Sequence, residues 1–82
     1  MQVLYFAWLR ERVGTGAEEI DPGAAATPAE LIEVLKIRGE GHAAAFADMT
    51  AIRVAVDQEM AALDTPLAGA REIAFFPPVT GG

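Results

Sequence analysis

Thr27-Pro28-Ala29-Glu30-Leu31-Ile32-Glu33-Val34-Leu35-Lys36 is the stretch on which the fold turns. Thr27 offers a capping hydroxyl, Pro28 suits a first helical position, where no amide is needed, and Glu30 sits three residues past the cap. Leu31, Ile32, Val34 and Leu35 recur at helical spacing, and Gly39 is placed to end the helix. An apolar stripe of this kind must lie on something, and the sequence on either side is strand-like. Residues 2–7 (QVLYFA) are β-branched and aromatic and too few for a buried helix; alternation sends Val3, Tyr5 and Ala7 one way and Leu4 and Phe6 the other. Leu9 and Val13, four apart, suggest a short helix ended by Gly14. Residues 18–21 then read as a strand with Ile20 inward, pairing back on the first and closed by Pro22-Gly23.

Downstream of the main helix, Gly41 loosens the connection, and residues 42–49 are alanine-rich with Phe46 and Met49 on one face of a weaker second helix. Ile52, Val54 and Val56 alternate with Arg53, Ala55 and Asp57 as a half-buried strand. Asp57-Gln58 reads as the turn into a short strand over 59–61, Asp64-Thr65-Pro66-Leu67 as a tight turn, and 71–76 as the last strand with Ile73 and Phe75 inward. This order predicts an α+β domain: a mixed sheet of about five strands with one main helix across one face. It spans residues 1–76, and residues 77–82 form an extended, flexible tail.

Composition narrows the function. Of the 82 residues, 52% are apolar, but 17 are alanine, so the larger side chains suffice for one sheet and a helix or two and leave little room for an enclosed cleft. The absence of cysteine excludes a disulfide, a thiolate metal site and a side-chain thiol nucleophile. A net charge of −6 argues against nucleic acid and anionic membranes as partners. With no apolar run long enough to span a bilayer and no secretory leader pattern at residue 1, the expected location is the cytoplasm.

Two features stand above their plain explanations. The first is the ending Pro77-Pro78-Val79-Thr80-Gly81-Gly82. At a glycine usage of roughly 7%, a terminal Gly-Gly arises by chance about once in two hundred. A frayed end would explain it, since termini collect small residues. A carboxylate without flanking side chains, however, can enter a narrow channel, and the proline pair stiffens the root of a tail that reaches about 20 Å. The second is a trio, Phe6, Met60 and Phe76, which alternation places on the side of the sheet away from the helix. A half-covered small sheet would expose some apolar groups, but a large trio beside the tail marks a docking surface.

Catalytic groups are sparse. His42 is the single histidine and reads as a loop or helix-start residue; Lys36, the single lysine, reads as exposed helix surface. Glu18 and Glu19, and Asp57 with Glu59, read as solvated acids, and the Gly14-Thr15-Gly16 and Gly39-Glu40-Gly41 runs fit no phosphate-binding fingerprint. Nothing assembles a nucleophile, a base and an oxyanion site.

Val3-Leu4-Tyr5-Phe6-Ala7 with Leu9-Arg10-Glu11, the capped helix from Thr27, Val54-Ala55-Val56-Asp57-Gln58-Glu59, Asp64-Thr65-Pro66-Leu67 and above all Ala74-Phe75-Phe76-Pro77-Pro78-Val79-Thr80-Gly81-Gly82 resemble the MoaD family, the sulfur-carrier small subunits of molybdopterin synthase. The resemblance covers nearly the whole chain, and its specific part is the C-terminal block. It implies a ubiquitin-like β-grasp fold. It also implies that the Gly82 carboxylate is adenylated with ATP by a ubiquitin-activating-like adenylyltransferase (MoeB type) and converted to a thiocarboxylate with sulfur from a separate donor enzyme. The tail, Pro77 to Gly82, would then enter the large subunit (MoaE type, in a heterotetramer) and deliver sulfur to cyclic pyranopterin monophosphate. Catalytic side chains and bound ATP would belong to the partners, with no cofactor and no metal held by the chain itself. Phe6, Met60 and Phe76 match the family's partner-binding patch, and Arg10 matches a basic position beside it. Asp57 stands in place of the family's usual asparagine, Gly69-Ala70-Arg71-Glu72 in place of Asp-Gly-Asp-Glu, and Trp8 is unusual after the first strand. A ubiquitin-like protein modifier, or a sulfur carrier for thiamine or cysteine synthesis, stays open as an alternative.

Overall fold

The computed structural model describes residues 1–78; Val79, Thr80, Gly81 and Gly82, and every expectation placed on them, lie outside the described residues. Along the chain come β1 (Gln2–Tyr5), α1 (Trp8–Val13), β2 (Ala17–Glu19), α2 (Pro28–Ile37), α3 (Glu40–Ala45), a 3-10 turn (Met49–Ala51), β3 (Arg53–Val56), β4 (Glu59–Ala61) and β5 (Glu72–Phe76). The strands form one sheet in the order β2-β1-β5-β3-β4. β1 and β5 run parallel at its centre, and the other neighbours are antiparallel. This is the α+β, ubiquitin-like β-grasp fold that the sequence implied.

The main helix begins as its cap predicts: Thr27 Oγ1 accepts from the Glu30 amide at 3.3 Å. Pro28, Leu31, Ile32 and Leu35 are buried, and the last three join one cluster with Val3, Tyr5, Val54, Ile73 and Phe75 of the sheet. Leu9 of α1 and Ala45 of α3 belong to the same cluster, so all three helices lie over one face. Each large side chain buried there contributes about 1.5–3 kcal/mol. Phe46 sits edge-on to Phe75 with ring centroids 5.0 Å apart, while Tyr5 stacks against Phe75 at 6.3 Å.

Four local readings change. β1 stops at Tyr5, because Ala7 turns the chain into α1 with φ at 55° instead of facing the core with Val3 and Tyr5. The main helix ends with Arg38 as its last-turn cap, and Gly39, in an extended conformation, starts α3. Gly41 is a packing residue rather than a loose link. A Cβ added there would lie 2.4 Å from the Arg12 carbonyl oxygen, so α3 crosses α1 at a distance that only glycine allows. The second helix is accordingly shorter and earlier than the periodicity of 42–49 suggested, and Phe46, completely buried, follows its end.

Gly41→Ala is therefore expected to destabilise the domain by about 1–3 kcal/mol, as overpacking against backbone does. Gly39→Ala, where the nearest atom would be His42 Nδ1 at 3.8 Å, should leave stability near wild type. Urea denaturation of the two variants checks the contrast.

Candidate functional site: the open sheet face and the root of the tail

The strand register decides which side chains share the uncovered face. Leu4 pairs with Ala17 and Ala74, Ala74 with Ala55, and Ala55 with Met60, a row that crosses all five strands. One level nearer the tail, Phe76 pairs with Arg53. Phe6, whose amide donates to the Phe75 carbonyl at 3.1 Å, continues that level on the other side. Ala74 is only 7% exposed although no helix covers it, whereas Phe6 is 49% and Met60 67% exposed. The face thus presents small residues in a shallow centre with Phe6, Phe76 and Met60 around it, which brings the sequence-derived trio onto one surface. An uncovered surface of small and large apolar side chains is suited to protein docking.

The tail leaves from this surface. β5 ends at Phe76, whose side chain alternates away from the buried Phe75, and Pro77 and Pro78 follow directly, both half-buried. Proline has no amide to continue the ladder, so the strand stops at the rim of the face. Arg10 lies on α1, where it lines an open cleft with Glu11, Gly14, Thr15 and Gly16. A Cβ on Gly16 would come within 3.3 Å of Arg10 Nε, so this glycine leaves room for the guanidinium. Trp8 does not extend the apolar face: it packs against the core, and the Arg12 guanidinium covers its ring at 4.7 Å.

Sequence reasoning missed a polar cluster on the covered side. Glu18 is opposite Val3 in the register and points under the helices, with its side chain 17% exposed. Tyr5 OH donates to Glu18 Oε2 at 2.7 Å, His42 Nε2 lies 2.7 Å from the same oxygen, and Arg38 Nε is 3.8 Å from Oε1. Glu18 is thus no solvated acid, and His42, near the start of α3 as one of its two readings expected, is bound to Glu18. Partial burial alone would push the Glu18 carboxyl up, but hydrogen bonds from His42 and Tyr5, with the charges of His42 and Arg38, outweigh it and hold the group below its usual range. Burial, then the bond to Glu18, pushes the Tyr5 phenol well up. The signal was present in the sequence: with Ile20 inward, a period of two also turns Glu18 inward. The cluster ties α2 and α3 to edge strand β2, and an inward-pointing charge protects such an edge from pairing with other chains.

Asp57 also proves structural. It and Gln58 have φ of 49° and 70°, the two-residue hairpin turn with both φ positive, and the Asp57 carboxylate accepts from the Arg71 and Glu72 amides at 2.9 and 3.0 Å. Its own amide donates to the Glu72 carbonyl. One carboxylate oxygen accepts both bonds, a role open to an asparagine carbonyl, so this turn is well formed with aspartate.

The chain belongs to the ThiS family, whose model matches residues 3–82. It is 42% identical to a molybdopterin synthase sulfur carrier subunit of Escherichia coli, over all of this chain and 99% of that one. To a molybdopterin synthase sulfur carrier subunit of Haemophilus influenzae it is 37% identical, again over all of this chain and 99% of that one. Among solved structures it is similar to the small archaeal modifier protein 1 of H. volcanii, with a TM-score of 0.73 and 29% identity over 96% of this chain and 97% of that one.

The Glu18 cluster sets an acid dependence. A carboxyl held below its ordinary value in the folded state adds stability that is complete above the unfolded value and is lost as pH falls through the lower folded value. Wild type should therefore exceed Glu18→Gln in stability most clearly near neutrality, and the gap should close as pH drops below 4.5, the ordinary glutamate value. Urea denaturation of both proteins across that range measures it; a gap unchanged with pH would remove Glu18 as its source.

Proposed function

We propose that this ThiS-family chain is the sulfur carrier subunit of a molybdopterin synthase. The observation that carries the reading is the arrangement at the end of β5: Phe75 locks the strand into the core, Phe76 faces the open apolar surface, and the Pro77-Pro78-Val79-Thr80-Gly81-Gly82 ending follows at once. Full-length identity to two proteins of that name supports it. The body docks through Phe6, Met60 and Phe76, with Arg10 beside them, while Val79 to Gly82 reach into the partner's active site. Glycine at the last two positions gives a terminal carboxylate with no Cβ to obstruct a narrow channel.

The chemistry then belongs to the Gly82 carboxylate. A carboxylate oxygen is a poor leaving group. A ubiquitin-activating-like adenylyltransferase transfers AMP from ATP to it, releasing pyrophosphate, and a sulfur donor enzyme then supplies sulfur that displaces AMP to leave a thiocarboxylate. In the large subunit the thiocarboxylate sulfur bonds to cyclic pyranopterin monophosphate, and water then cleaves the acyl C–S bond, leaving sulfur on the pterin and returning the Gly82 carboxylate. Two such carriers deliver the two dithiolene sulfurs, in keeping with a heterotetramer, in the cytoplasm where ATP is supplied. This chain contributes position and cargo, and the partners contribute the catalytic side chains. A sulfur protein without cysteine is chemically coherent on this reading, since the sulfur rides on the main-chain terminus.

One observation favours a second reading. A solved structure at TM-score 0.73 is named as a small archaeal modifier protein, so this chain could join its Gly82 carboxylate to lysines of other proteins. Incubation with the activating enzyme, ATP and a sulfur donor separates the two. The carrier reading expects the intact mass to change by one oxygen-to-sulfur exchange, and the change to vanish on deletion of Gly82. The modifier reading expects higher-mass conjugates linked through Gly82. Phe76→Asp should also weaken the complex with the large subunit by at least about tenfold, the cost of removing a central apolar anchor. Its thermal melt should stay close to wild type, because Phe76 is not in the core cluster.

A further inference from the structure

The register places one charged side chain on the open face at the level where the tail leaves. Arg53 is directly opposite Phe76 across β3 and β5 and is exposed. Its Nη1 donates to the carbonyls of Ile52 at 3.1 Å and Thr50 at 3.4 Å, which fixes the guanidinium and leaves its other donors unused by those bonds. Three of the other five bases are held by neighbours, while Arg10 lies on α1 and Arg71 just before β5, at the end of the strand away from the tail. Lys36 is 3.8 Å from Glu33, Arg38 is 3.8 Å from Glu18, and Arg12 covers Trp8. Among the described residues Arg53 makes no ion pair, in a chain of net charge −6. Acids lie at the opposite end of the same face: Glu19 and Glu72 both pair with Gln2, at the start of β1. The face is therefore apolar in the middle and polarised along the strands, with its base beside the tail.

We infer that Arg53 is a partner-selecting contact. It fits a carboxylate on the tail-accepting subunit, placed at the rim of the channel that receives residues 77–82. The proposal rests on the docking reading above and sharpens it: overall acidity alone predicts a basic partner surface, whereas this end of the face calls for an acid. A guanidinium already held by two main-chain carbonyls loses little freedom on pairing, and beside Phe76 and its partner surface it would be shielded from water, where a charged contact is strongest. Such a pair orients the body so that the tail meets the channel, and it discriminates against partners with a basic rim.

The test measures binding of the full chain to the purified molybdopterin synthase large subunit of the same organism by calorimetry, at low and high salt. Arg53→Glu is expected to weaken binding about tenfold or more, Arg53→Ala less, and Arg53→Lys least. Affinity of the wild type should fall with salt more steeply than that of Arg53→Ala, a difference that a purely structural role for Arg53 would not produce. Thermal melts report folding, and if Arg53→Glu does not fold, the salt dependence of Arg53→Ala decides. Should Arg53→Glu bind as well as wild type, or better, while Phe76→Asp loses binding, the Arg53 proposal is overturned and the docking face stands. If neither substitution changes binding, the docking reading fails with it.

Discussion

The parallel pairing of β1 with β5 is the contact on which the rest depends. It joins Gln2 to Glu72, Val3 to Ile73, Leu4 to Ala74 and Tyr5 to Phe75, the two ends of the described chain. The bond from the Gln2 amide to the Arg71 carbonyl at 2.9 Å and that from the Phe6 amide to the Phe75 carbonyl at 3.1 Å bracket it. Closing so long a loop costs entropy that local hydrogen bonds do not offset. The compensation is hydrophobic: Tyr5 and Phe75 stack in the core, and Phe46 closes over them. Once this pair is formed, β2 adds to one side and the β3–β4 hairpin to the other, and the helices have a single face to cover.

The same pairing makes the proposed docking surface. Phe75 and Phe76 are neighbours in sequence, yet one fills the core and the other faces outward, because successive strand residues point to opposite sides. A slip of one residue would bury Phe76 and expose Phe75, changing the core and the open face together. The end of the central strand and the start of the tail are thus one feature. An 82-residue domain with a single core leaves little room for an enclosed cleft, and its central strand ends in Pro77 and Pro78 beside an open apolar face. Polarity along that face, with Arg53 at the tail end and Glu19 and Glu72 at the other, gives an otherwise featureless apolar surface a direction.

Much of this was legible from local chemistry. The Thr27 cap, the Asp57-Gln58 turn and the alternation of Ile73 and Phe75 are short-range signals, and each element formed within a few residues of its expected bounds. What was not legible depended on partners distant in sequence. Glu18 resembles any surface acid until His42, Tyr5 and Arg38 are brought around it. Gly41 resembles a flexible link until Arg12 is placed against it. Arg53 resembles the solvent side of a strand until Phe76 lies opposite it.

The sequence by itself determined the elements, the two-faced character of the strands and the unusual ending, because capping, turn conformation and alternation act over a few residues. Tertiary structure alone decided which strand lies beside which, which acid is drawn under the helices, and which base lies opposite Phe76. Those outcomes follow from packing many remote side chains around one core, and no local pattern records where the far half of each contact will be.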